Sequence, residues 1–420
     1  MVTPRCCGCV ALLLALASLG ARPVALDQSP QEPAERPRKT KRLPPEPTAI
    51  LPAEQVWTKT LEVAPSANGA MDAERIYVPL EGAGVRALRR DTGELVWSEP
   101  ADTRSPLVVG GGLLYAALPD EIRGHTPATG AVRWSRRLEG PLSAPLAWVA
   151  GRVIVSTEAG DVLALRDVDG ELVWRRALGS PTRYVPAVIP ETAIALTLAD
   201  GRVVTLNLET GEPVWERSFE GTLSAPATAR DRVFVGSTDN FFYALDAETG
   251  REQWKWRTGG DVVGAAADGE RVYFTSLDNV LRAVNRGNGN QLWKTAIPTR
   301  PSAPPIAFGD VVVLTGVAPR LDAYMGKTGA VVGMFAATTD LQGVPLIDTT
   351  PAPFEVALVA LTRDGGVTAL RPTKLMFPEP ALVPLIKLPG RELPRERLQA
   401  APSSTPNFQP PTSKGTASHW

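Results

Sequence analysis

Two histidines, His125 and His419, and three cysteines, Cys6, Cys7 and Cys9, are the only imidazole and thiol metal ligands in this 420-residue chain. A protein-bound zinc takes three or four such side chains, so this supply excludes a multi-histidine site. The cysteines all fall in the first ten residues. If that segment is removed, the remaining chain has no disulfide, thiolate nucleophile or cysteine-ligated metal. Carboxylates are more plentiful. Asp200, Asp239, Asp278 and Asp364 recur at similar places and could be imagined as a ring for proton transfer or cation binding. Each is followed by Gly or Asn, however, and that pairing belongs to a tight hairpin, where the carboxylate serves the turn. His125 stands at the end of a β-rich run, just before a turn, and is expected at the surface and not as a catalytic base. Catalytic residues, cofactor-binding residues and metal ligands are therefore all expected to be none.

The residues that do repeat are tryptophans, each following a turn. The motif appears as Asp91-Thr-Gly-Glu-Leu-Val-Trp97, and again ending at Trp134, Trp174, Trp215, Trp254 and Trp293, with Trp57 ahead of them all. In a seventh copy, Lys327-Thr-Gly-Ala-Val-Val-Gly333, glycine stands in the Trp position, with Met334 and Phe335 next to it. Steps between neighbours from Trp57 to Gly333 are 40, 37, 40, 41, 39, 39 and 40. A period this regular is the mark of a repeat architecture. An indole combines a large apolar ring with one N–H that needs an acceptor, so these tryptophans suit the gap between adjacent sheets, with the N–H on a backbone carbonyl. The turn glycine supplies the left-handed bulge position. Trp57, Trp97, Trp134, Trp174, Trp215, Trp254 and Trp293 are thus expected to dock one sheet on the next.

Before each turn lies a hairpin of two β-rich runs, such as Arg152-Val-Ile-Val-Ser-Thr with Asp161-Val-Leu-Ala-Leu165. No window carries a sustained 3.6-residue apolar period, so the chain is expected to be all-β. Eight hairpins begin near Ile76, Leu113, Val153, Ala193, Val233, Val272, Val311 and Val356. Eight turn-end strand positions accompany them, but one step out of phase: Trp57 precedes the first hairpin, and nothing follows the last. Pairing the N-terminal Trp strand with the C-terminal hairpin repairs the phase and removes open edges. The expectation is an eight-bladed β-propeller over residues 51–372. An open solenoid would need no such complementary ends.

The flanks differ in composition. Residues 1–25 read as a secretory signal peptide, with Arg5, an apolar stretch over 10–19, and small residues at Ser18, Gly20, Ala21 and Ala25. Ten apolar residues are too few to span a bilayer, so no transmembrane span is expected in the mature chain; an uncleaved anchor in the inner membrane is the other outcome. Because the cysteines precede the apolar stretch, no lipid anchor is expected. Residues 26–50 form a Pro- and charge-rich linker with a basic cluster at Arg36, Arg38, Lys39, Lys41 and Arg42. Residues 373–420 are a Pro-rich C-terminal extension. Its apolar stretch 381–388 is either a docking peptide for a partner or a segment that packs back on the propeller. Overall charge is nearly balanced, with 44 Lys plus Arg against 45 Asp plus Glu, and 51–372 holds 31 basic and 38 acidic residues. Nothing in this distribution points to nucleic acid. A monomer is expected.

The run Arg232 to Trp254 resembles the pyrroloquinoline-quinone-type propeller repeat, and the resemblance covers about 320 of the 420 residues. The order of parts is similar to the BamB family: a Trp strand first, then repeats, a weak seventh Trp position, and a terminal Arg363-Asp-Gly-Gly-Val-Thr-Ala-Leu unit. That resemblance implies a non-catalytic, cofactor-free periplasmic scaffold, associated with the outer membrane through a partner, that binds envelope proteins of the outer-membrane β-barrel assembly machine. In the family, partner contacts come from the loops after the fourth and fifth Trp strands. Here those loops read Ser180-Pro-Thr-Arg183-Tyr184 and Glu220-Gly-Thr-Leu-Ser-Ala-Pro226, which makes Arg183, Tyr184 and Glu220 the candidate protein-binding residues. The loops are shorter or less acidic than the family pattern, and the lipid-bearing cysteine is missing, so the partner or its mode of binding is expected to differ. Quinoprotein dehydrogenases share the repeat. Their resemblance brings an adjacent-cysteine disulfide, a Ca²⁺ site and long inserted loops, for which this chain has neither the cysteines nor the room, so an enzyme is not expected. A propeller binding polysaccharide or another envelope complex is the remaining alternative.

Overall fold

The computed structural model describes residues 53–372, apart from 191, 309–310 and 349–355. The signal segment, the linker, the extension 373–420 and its stretch 381–388 lie outside the described residues.

Strand-forming runs alternate with Gly- and Asp-rich turns throughout, and among the described residues this produces 32 strands and no helix. They assemble into eight four-stranded antiparallel sheets, the blades of an all-β propeller. Seven blades follow the chain from inner to outer strand: blade 1 (70–99), blade 2 (108–137), blade 3 (147–177), blade 4 (187–218), blade 5 (227–257), blade 6 (262–296) and blade 7 (306–336). Blade 8 is composite. Its three inner strands come from 346–372, and its outermost strand is Ala53–Thr60, antiparallel to Gly366–Pro372 with Thr60 opposite Gly366 and Ala53 opposite Pro372.

Burial explains the apolar runs. The middle strands of a blade are covered on both faces by neighbouring blades, so a strand such as Arg152–Ser156 is buried from its second residue onward. Strict alternation, the mark of a half-buried strand, is therefore absent there. Outer strands such as Leu172–Ala177 have one free edge and show mixed exposure. Eight apolar clusters fill the eight seams between blades. The two that close the ring involve blade 8. Leu358 and Leu370 pack with Val313 and Phe335 of blade 7, and Val359 and Val367 pack with Ile76 and Leu88 of blade 1.

Antiparallel order places the loops. Turns between second and third strands, and loops that run from an outer strand to the next inner strand, emerge at one face. Isolated bridges tie the two sets together, as Thr182 to Leu198 and Leu223 to Ser237. The Trp-motif turns emerge at the opposite face. So do the start of Ala53–Thr60 and the end of Gly366–Pro372, which means that both flanking segments attach there.

Candidate functional site

Each of the seven repeat tryptophans lies on an outer strand and reaches into the next blade. Trp97 Nε1 donates to Pro127 O at 2.8 Å, Trp134 to Asp167 O at 2.8 Å, Trp174 to Leu208 O at 2.9 Å and Trp215 to Ala247 O at 2.8 Å. Trp254 donates to Arg286 O at 3.0 Å, Trp293 to Gly326 O at 2.8 Å, and Trp57 to Arg90 O at 2.9 Å across the closing seam. Each acceptor begins the motif turn of the following blade, and each ring lies against that turn's glycine. Gly211 has φ +70°, and a Cβ there would come within 2.6 Å of the Trp174 ring. Glycine is needed at this turn for its left-handed backbone and also to admit the indole.

Sequence reasoning missed a second set of contacts at the same seams. The residue two beyond five of the seven tryptophans donates to the carbonyl of the next turn glycine: Lys59 to Gly93, Arg136 to Gly170, Arg176 to Gly211, Arg217 to Gly250 and Thr295 to Gly329. The available signal was the recurrence of long cationic residues two positions after the Trp.

Gly333 occupies the Trp position of blade 7, opposite Ala323 as Trp293 is opposite Ala283. The reason for its small size is visible in blade 8. There the outer strand comes from the other end of the repeat region, so no motif turn connects the two outer strands and no turn glycine is available to receive an indole. Phe335 fills the seam, against Ala53 and Leu370.

The candidate protein-binding residues fall on two neighbouring loops of one face, with blade 4 between them. Loop 178–186 joins blades 3 and 4. Its Thr182 is buried and bridged to Leu198, which turns the two following residues outward. The Arg183 guanidinium pairs with Glu158 of the adjacent hairpin turn, while Tyr184 and Val185 are exposed at 36% and 44%. Loop 219–226 joins blades 4 and 5. Leu223 anchors it, and Ser237 Oγ donates to Glu220 O at 2.7 Å, leaving the exposed Glu220 side chain free to face solvent. The structure therefore brings Arg183 and Tyr184 together, with Glu220 on the next loop.

Beside Glu220 lies an aromatic and cationic group that the sequence reading did not single out. Phe219 packs 4.8 Å from Tyr243, Arg217 lies 5.3 Å over Phe219, and Lys255 lies 5.1 Å over Phe241. Tyr243 donates to Asp239 at 2.5 Å. Aromatic and Arg side chains held in this way are enriched at protein interfaces.

The other chemical candidates resolve differently. His125 is buried, at 2% exposure, and this corrects the surface position expected of it. It occupies the third-strand slot that Leu165, Leu206 and Leu245 fill in other blades, and that slot points into a seam. His125 Nδ1 donates to Gly130 O at 2.9 Å, Nε2 has no hydrogen-bond partner, and burial lowers the pKa. The turn aspartates serve their hairpins. Asp200 and Asp239 accept from the backbone two residues on, and Asp364 accepts from Thr362. Asp278 pairs with Arg282 and accepts from Ser276. Although burial pushes the Asp278 carboxyl upward, those hydrogen bonds prevail and its pKa is lowered. Among the described residues, no group of three or more His, Cys, Asp or Glu side chains could hold a metal ion. No described helix is long and apolar enough to cross a membrane.

Comparison with known proteins adds a family. The family model described as outer membrane protein assembly factor BamB matches residues 119–222 and 199–371, which is more than half of the chain. The BamB of Bordetella pertussis is 26% identical over 189 residues, covering 40% of this chain and 49% of that protein. The chain thus spans about half the length of the curated BamB relatives it matches. Among solved structures, BamB from Moraxella catarrhalis superposes with a TM-score of 0.60 at 19% identity, covering 76% of this chain and 99% of that one. The quinohemoprotein alcohol dehydrogenase ADHIIG from Pseudomonas putida HK5 gives 0.61 at 14% identity, covering 78% of each. At these identities the structural likenesses speak for the fold alone.

Proposed function

Because this chain belongs to the BamB family of PQQ-like repeat propellers, we propose that it is a non-catalytic periplasmic scaffold that binds envelope proteins during assembly of outer-membrane β-barrels. The observation that carries this reading is the pair of neighbouring loops 178–186 and 219–226 on one face of the ring. They present Arg183, Tyr184 and Val185 on one loop and Glu220 on the next, each loop anchored to its neighbouring hairpin. Anchored loops with an exposed aromatic ring and charges of both signs are suited to a polar-rimmed protein contact. The position of the flanks also supports it. Both attach at the opposite face, so a tether or tail there leaves the two loops open. In this reading the propeller acts as a monomer, and the tryptophans hold its blades in register so that the two loops keep a constant separation.

The test is photocrosslinking in cells from a benzoylphenylalanine placed at Tyr184. Recovery of the β-barrel assembly machine is expected, and combining Arg183→Glu with Glu220→Arg should lower co-purification at least tenfold without moving the thermal midpoint. Crosslinks to a polysaccharide or an unrelated complex would replace the proposed partner. Oxidation of alcohols by protein reconstituted with the quinone and Ca²⁺ would overturn the non-catalytic role.

A further inference from the structure

The outer strands of the blades are the free edges of the ring, and in an edge strand every second residue turns its N–H and C=O away from the sheet. In blade 7 these residues can be named. Ala337 N donates to Pro319 O at 2.7 Å, which makes 319 and 337 a hydrogen-bonded pair. Pairing alternates along the register, so Leu321 and Phe335 are bonded, whereas Arg320 opposite Ala336 and Asp322 opposite Met334 are not. The main-chain groups of Met334 and Ala336 therefore face outward. The bulge at 331–333 lies before them and leaves this part of the edge regular. Among the described residues, no strand lies beyond Val331–Ala336.

Its side chains set this edge apart. Each of the other seven outer strands carries at least one charge, such as Glu99, Arg175, Lys255 or Lys294. Val331-Val-Gly-Met-Phe-Ala336 carries none, and no proline. The third strand supplies the reason. In blade 3 the outer Arg175 reaches back to Asp161 at 2.6 Å, and in blade 4 Glu216 lies 3.2 Å from Arg202. In blade 7, Arg320 donates to Asp322 on its own strand, with Nε 3.0 Å from each carboxylate oxygen, so this buried carboxylate needs no cation from the outer strand. Gly333 adds no side chain, and Phe335 is turned into the seam with blade 8. Val331, at 68% exposure, and Ala336 are left at the surface. Charge and proline are devices that keep other strands off an edge, and blade 7 has neither.

We propose that the outer edge of blade 7 binds, by strand addition, an extended uncharged segment of another polypeptide, such as a β-sheet protein presents before its own strands are paired. The outward N–H and C=O groups select for strand conformation. The lack of any charge on the edge selects against charged segments, which would give up hydration and meet no counter-charge. The site lies three blades round the ring from blade 4, apart from loops 178–186 and 219–226, and does not rest on what those loops bind.

The probe is a fluorescein-labelled ten-residue peptide of alternating Val and Thr, added to the full chain. One peptide per chain should bind and slow amide exchange at 334 and 336 at least tenfold, while the outer strands of other blades exchange as before. Met334→Lys places lysine where blades 5 and 6 carry Lys255 and Lys294, and should weaken binding at least tenfold. Ala336→Pro removes an outward donor and no bond within the blade, and should do the same. Ala177→Pro, at the matching position of blade 3, should leave binding intact. An unchanged thermal midpoint separates loss of the edge from loss of the fold. Arg183→Glu with Glu220→Arg should also leave peptide binding intact, so failure of the loop contact and failure of this site are told apart. No binding, binding that survives both edge variants, or equal protection of several outer strands would overturn the proposal. Protection of 331–336 that grows with protein concentration in the absence of peptide would show that a second copy fills the edge, and would also reject it.

Discussion

A histidine in a slot that leucine fills in blades 3, 4 and 5 gives the ring a pH-sensitive point. Burial holds His125 below its ordinary value of 6.5, so the folded state favours the neutral ring and the unfolded chain takes up the proton first as pH falls. Its contribution is complete above about pH 6.5 and declines as the pH drops toward the folded value, by at most about 1.4 kcal/mol per pH unit. His125→Leu introduces the residue that blades 3, 4 and 5 carry at this position. The thermal midpoint of the native chain should fall between pH 7.5 and 5.5 by more than that of the variant, and parallel curves would refute a buried neutral ring. Asp278 acts lower on the scale. Its carboxyl pKa lies below the ordinary value of 3.8, so the pair with Arg282 stabilises the fold above that pH and is lost as pH falls through the depressed value. Asp278→Asn should lose stability at pH 7 and converge on the native chain in acid, as followed by urea titration at pH 7 and pH 3. His125 was misread from the sequence because a strand end before a turn looks exposed when the covering blade is unknown.

At the scale of the blade, the tryptophan and the turn that receives it act together. Removing the Trp174 side chain takes away a buried ring and its hydrogen bond, and Trp174→Ala should cost about 3–5 kcal/mol. Trp174→Phe retains most of the apolar contact and leaves Leu208 O without its donor, a loss of about 1–3 kcal/mol. The larger loss in alanine would identify ring burial as the main effect, while equal losses would assign it to the hydrogen bond. Hydrogen exchange should show blades 3 and 4 opening first. The complementary experiment is Gly333→Trp. Repeat logic alone would forecast a gain, but blade 8 offers no turn glycine and Phe335 already fills the seam, so the variant should lower the thermal midpoint. The Trp positions were legible because a large aromatic ring at a constant interval stands out in any window. The short inner strands, such as Ala147–Val149 and Ala227–Ala229, were not, because three residues with no turn motif carry too little pattern.

For the molecule as a whole, stability depends on one strand borrowed from the N-terminal side. Without residues 1–60, the strand Gly366–Pro372 would become an open edge and Arg90 O would lose the Trp57 indole. The truncated chain should unfold over a broad, multiphase urea range and self-associate, and the intact ring should unfold in one transition; a single sharp transition for the truncated chain would contradict a closure role for the strand. The candidate loop residues Arg183, Tyr184 and Glu220 rest on family resemblance, and nothing in their own types marks them. The neighbouring group of Phe219, Phe241, Arg217 and Lys255 was hidden, since its members come from different strands. From the sequence alone came the all-β class, the blade number and the pairing of first strand with last hairpin, because a 40-residue period and its phase are properties of linear order. Tertiary structure decided which carbonyl each indole meets, why blade 7 carries glycine, where His125 lies and which side chains share a face. Those depend on contacts between blades, and a repeat specifies its own hairpins far more directly than it specifies what the neighbouring sheet places against them.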